Sequence, residues 1–134
     1  MQGASADRAM TITGWIVALA TCVAAGFLLF SIIHGYVLAL HHQLPPNNTF
    51  GFRDATTRSC LPAWYAAQTA GFRWLLFGGG PILAWNFFVF GLSAIKRRSP
   101  WDVCAMAFGT LFLLVFVVVI AGIHADSAAR AIST

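Results

Sequence analysis

Acidic side chains are almost missing from this sequence: Asp7, Asp54, Asp102 and Asp126 are the only four, and there is no glutamate. None stands at a useful spacing from another carboxylate, so general acid–base catalysis lacks a second group. Cysteine is scarce too. Cys22, Cys60 and Cys104 offer neither a disulfide framework nor a CxxC metal spacing. Charged residues make up only 9% of the chain, far below the roughly 25% of an average soluble domain.

What fills the space instead is hydrocarbon. The chain is 59% hydrophobic with a mean hydropathy of +0.77, which marks an integral membrane protein in contact with a lipid bilayer. Its 134 residues hold three or four helical spans of ~20 residues and short loops, so the whole chain reads as a single membrane domain. The net charge of +4 does not argue for nucleic acid, because the basic residues are scattered and most flank apolar runs, where they serve membrane orientation.

Three spans are expected, at about 11–40, 72–95 and 101–123, giving an all-α membrane bundle. In the first, Ala18, Cys22 and Gly26 recur every fourth residue and form a seam of small side chains for close helix packing. The second carries Gly78-Gly79-Gly80-Pro81, which predicts an interrupted or bent helix. Asn86 follows it at mid-span, an amide that seeks a partner on another helix. Beyond the third span, His124 to Thr134 is small and polar and reads as a frayed tail.

Residues 41–71 separate the first two spans and hold most of the recognisable chemistry. Pro45-Pro46 favours an extended entry, Asn47-Asn48 and Gly51 permit a turn with positive φ, and Arg53 supplies a planar five-donor fork. Ser59 is placed to cap a helix whose first turn contains Pro62. Trp64, Gln68, Gly71 and Leu75 then share a helix face, which predicts a short interfacial helix over Ala63 to Trp74 before the second span.

Three histidines, His34, His41 and His42, end the first span and His124 ends the third. They fall on one side of the membrane, yet no acidic or cysteine ligand is fixed beside them, so ordinary interfacial histidines are expected, with no metal, heme or other cofactor. Cys60 near a histidine has no orienting third residue or oxyanion motif. A non-enzymatic protein is the expectation. Arg8, Lys96, Arg97 and Arg98 fall on one side of the membrane and Arg53, Arg58, Arg73 and Arg130 on the other. The concentration of three cations at 96–98 favours a cytoplasmic N-terminus and an external loop.

The loop resembles a known family. Pro46-Asn47, Gly51-Phe52-Arg53, Thr57, Ser59 and Trp64-Tyr65-Ala66-Ala67 are similar to the PxN…GxR…T…S…W pattern of the SdpI/YfhL family of small bacterial multi-pass membrane proteins. The likeness covers about Leu44 to Gly80, and it departs from the pattern at Asp54, Cys60-Leu61 and Gln68. It implies a protein of the bacterial cell membrane in toxin immunity or signalling. A peptide or protein partner, or a second copy of the chain, would meet Pro46, Asn47, Gly51, Arg53, Thr57, Ser59 and Trp64. Physically, Arg53 would pair with Asp54 or backbone carbonyls, or else meet a carboxylate or phosphate beside a Trp64 platform. The alternative expectation is a small accessory subunit of a respiratory enzyme or transporter, motivated by the seam of small residues and Asn86.

Overall fold

The computed structural model describes residues 2–96 and 99–133. Arg97 and Arg98, two of the three cations in the basic turn, lie outside the described residues. The described residues form helices and connecting turns: α1 (Gln2–Leu40), α2 (Leu61–Trp74), a π-helical turn (Leu75–Gly79), α3 (Gly80–Ile95) and α4 (Pro100–Ser133). Three stretches, Met10–Leu40, Leu61–Ile95 and Pro100–Ser133, are long and apolar enough to cross a membrane.

The helices pack where their side chains are small. Along α1, Gly14, Ala18, Cys22, Ala25, Ile32, Gly35 and Ala39 are buried at steps of three, four or seven residues and form one stripe. Ala18 meets Val103 and Cys104 of α4, while Ala25 and Ile32 meet Leu83 of α3 and Leu114 of α4. The seam expected at Ala18, Cys22 and Gly26 thus continues through Ala25; Gly26 itself is only half-buried, and a Cβ there would lie 3.6 Å from Phe87. Large apolar groups point the other way. Phe27, Phe30, Phe108 and Phe112 are among the many exposed hydrophobics, as lipid contact requires.

The expected short helix is present over Leu61–Trp74, but it runs into the second span without a break, because Leu75 continues with right-handed helical backbone. The interruption expected at the glycines is a π turn. Pro81 has no N–H to give to the preceding turn, and the segment just before it widens to π geometry, as helices do where the regular ladder is disturbed. Gly78 and Gly79 lie against α4, where added Cβ atoms would approach Val117 to 3.1 Å and Leu114 to 3.4 Å.

The expected frayed tail is instead a continuation of α4 to Ser133. Its cause is a second seam: Ala125 and Ala129 pack on Ala63 and Ala67 of α2, with Phe52 beside them. Ala121, Ala125 and Ala129 are four residues apart and fully buried, so the two backbones approach closely. An Arg130–Asp126 ion pair at 2.8 Å, one helical turn apart, lies on the outer face.

Candidate functional site

The connection from α1 to α2 is folded by its own side chains. Asn47 starts it: its Oδ1 accepts from the Thr49 N–H at 2.9 Å and the Phe50 N–H at 2.7 Å, and its amide donates to the Pro45 carbonyl at 3.0 Å. A short amide side chain closing on its own backbone is what stabilises such a turn without regular structure. Gly51 follows at φ 99°. A side chain there would be strained in the left-handed region and would drive a Cβ into the Gln68 carboxamide.

Asp54 and Thr57 close a second turn reciprocally. The Thr57 N–H donates to Asp54 Oδ1 at 2.6 Å and the Asp54 N–H donates to Thr57 Oγ1 at 3.0 Å. The Thr57 hydroxyl also lies 3.1 Å from the Asp54 carbonyl and 3.2 Å from that of Phe52. Thr57 is fully buried for this reason.

Two side chains of α2 then fasten the loop to the bundle. Gln68 binds one residue at both ends of its backbone: its Oε1 accepts from the Phe52 N–H at 2.9 Å and its Nε2 donates to the Phe52 carbonyl at 2.7 Å. Trp64 donates its indole N–H to the Leu44 carbonyl at 2.7 Å. Both side chains have 0% exposure, where an unmade hydrogen bond costs about 1–3 kcal/mol. Phe50 and Phe52 pack on Phe72 at ring-centroid distances of 5.3 and 5.8 Å. Gly35 and Gly71 make room for these rings: a Cβ at Gly35 would lie 2.6 Å from Phe72, and one at Gly71 would run into Phe52.

This geometry corrects two expectations and decides between two alternatives in a third. Trp64 is no surface platform, since its ring is enclosed and its N–H is committed to Leu44. Ser59 does not cap α2; Cys60 occupies that position, without a side-chain cap bond, while Pro62 does fall in the first turn. Of the two partners expected for Arg53 within the loop, Asp54 or a backbone carbonyl, it takes the carbonyl. Its guanidinium donates to the Asn48 carbonyl, and the Asp54 carboxylate is taken by Thr57. Of the seven motif residues, Asn47, Gly51, Thr57 and Trp64 therefore build the loop, whereas Pro46, Arg53 and Ser59 are exposed.

A groove of about 600 Å³ opens where the loop meets the helices, lined by His42 at its start, Leu61 and Pro62 at its end, and Tyr65, Thr69 and Arg73 along α2. His42, at φ 55°, stacks on Tyr65 with ring centroids 4.5 Å apart. Arg73 is exposed in the last turn of α2. The other histidines are spread out: His34 stacks on Phe30 and His124 on Trp74. Among the described residues no group of three His, Cys or Asp side chains converges as a metal site would require.

Gln68 and Phe52 are the residues sequence reading missed as partners. The visible signal was the spacing of Trp64, Gln68 and Gly71 on one face of α2, which receives the loop rather than the bilayer surface. No family model matches the chain, and neither a curated protein nor a solved structure is significantly similar to it.

Proposed function

We propose that the chain is a non-enzymatic protein of the bacterial cell membrane that binds a peptide or protein partner through the exposed side of its loop, in the manner of SdpI-type immunity and signalling proteins. One observation carries this reading: the loop's inward groups are all committed to holding its shape, while Arg53 and the groove bearing Tyr65 and Arg73 are left exposed. A rigid scaffold that presents a guanidinium needs little ordering on binding, and Arg pairs bidentately with a carboxylate. With a cytoplasmic N-terminus, this face lies outside the cell.

The test is growth of cells that produce either the wild type or Arg53→Ala and are challenged with a secreted membrane-active peptide. Equal membrane levels with loss of protection in the variant support the reading. Equal protection by both forms refutes it.

The accessory-subunit reading rested on the seam of small residues and on Asn86. Ala18 is used within the chain, against Val103 and Cys104, which leaves less of that seam for a neighbour. The Asn86 amide remains, and tagged purification in mild detergent separates the readings: stoichiometric companion subunits favour an accessory role.

A further inference from the structure

Asn86 is 7% exposed, in the middle of α3, and its carboxamide makes no hydrogen bond to any described residue. No fully enclosed side-chain nitrogen or oxygen among the described residues lacks a partner, so the unpaired amide is reached through open space. That space is a cavity of about 230 Å³ between α1, α3 and α4, lined by Asn86 with Thr21, Leu28, Ala107, Phe108 and Thr110. The threonine hydroxyls each donate to their own helix, Thr21 to the Val17 carbonyl and Thr110 to the Met106 carbonyl. Their lone pairs remain as acceptors. Everything else on these walls is apolar apart from the Cys104 thiol, which points to the Gly14 carbonyl at 3.7 Å.

Depth decides what fits. Asn86 precedes the end of α3 at Ile95 by nine residues, or ~14 Å at the helical rise. Thr110 follows Pro100 by ten, or ~15 Å. Both positions fall near the middle of a ~30 Å hydrocarbon core, where an unpaired amide costs several kcal/mol. Charged headgroups do not reach that level. The size is right for a small body, since an apolar cavity of about 150 Å³ already takes up a benzene-sized molecule.

We propose that this wedge binds a neutral, lipid-soluble amphiphile from the bilayer: an apolar ring or chain carrying one carbonyl or hydroxyl group that pairs with the Asn86 amide. A carbonyl accepts from Nδ2, whereas a hydroxyl donates to Oδ1 or to a threonine oxygen. The rest of the molecule lies against Leu28 and Phe108. This site is separate from the loop and does not rest on its function.

The chain contains three asparagines, Asn47, Asn48 and Asn86, which makes a direct readout simple. The full-length protein, labelled with 15N only in asparagine and held in phosphatidylcholine nanodiscs, gives three side-chain amide signals, and the one lost in Asn86→Leu is that of Asn86. Three probes are added: a benzoquinone with one prenyl unit, geraniol, and the hydrocarbon 2,6-dimethyloctane. The Asn86 signal shifts saturably with the quinone, with geraniol or with both, identifying a carbonyl or a hydroxyl ligand, and it is unmoved by the hydrocarbon. Ala24→Leu, at an exposed position on the cavity wall, weakens the shift roughly tenfold by filling the wedge. No saturable shift with either polar probe, an unchanged response in Ala24→Leu, or an amide signal that changes with protein concentration, as pairing with a second copy would produce, overturns the proposal.

Discussion

Gln68 and Asn86 are carboxamides on the same continuous helical run, and their surroundings treat them oppositely. Gln68 is closed at both ends on the backbone of Phe52, whereas Asn86 faces an open wedge. The first is as well satisfied as a buried amide can be by a single residue, and it converts a 20-residue connection into a fixed cap. The second holds hydrogen-bonding capacity in reserve where hydrocarbon supplies none. Two side chains of similar chemistry therefore serve different ends: one builds the molecule, and the other is left for something outside it.

The largest expected break in this contrast is at Gly51. Gly51→Val puts a β-branched side chain at φ 99° and into Gln68, at a cost of about 3 kcal/mol or more from backbone strain and overpacking together. Thermal unfolding in detergent checks it. Gln68→Ala follows, stranding the Phe52 N–H and leaving its carbonyl only the Thr57 hydroxyl, for about 1–3 kcal/mol; a larger loss than in Asn86→Ala measured side by side confirms that only one amide is structural. Trp64→Phe keeps most of the ring but leaves the Leu44 carbonyl unpaired, and lowers stability by about 1–2 kcal/mol. Asn86→Leu changes stability by less than ~1 kcal/mol or raises it, because a partnerless amide becomes an apolar side chain of similar size. Smallest of all is Arg53→Ala, within about 0.5 kcal/mol as for most surface changes, and its effect shows in partner binding alone.

How far the sequence announced this contrast differs along the chain. The spans were legible from hydropathy, and the glycine-proline interruption from its residues, because both depend on local composition. Asn47, Gly51 and Arg53 marked a specified loop, since turn-forming residues act on their own backbone neighbours. Gln68 did not announce its partner: a 16-residue separation to Phe52 leaves no periodic trace. Trp64 read as a surface aromatic because an indole at a helix start suits the lipid interface as well as a buried loop, and only the fold supplies the Leu44 carbonyl. The end of α4 was misread through its small residues. Ala121, Ala125 and Ala129 at four-residue intervals form a packing seam, but an alanine pattern gains its meaning from the facing Ala63 and Ala67.

The central claim is that the loop is a fixed cap whose clamp is Gln68, and that the exposed Arg53, with its one bond to the Asn48 carbonyl, is not needed to hold it. Backbone hydrogen exchange of the Phe52 amide in nanodiscs tests this most directly. The account predicts slow exchange in the wild type and in Arg53→Ala, with protection lost in Gln68→Ala. Rapid exchange in the wild type, or protection that vanishes with Arg53→Ala and survives Gln68→Ala, contradicts it.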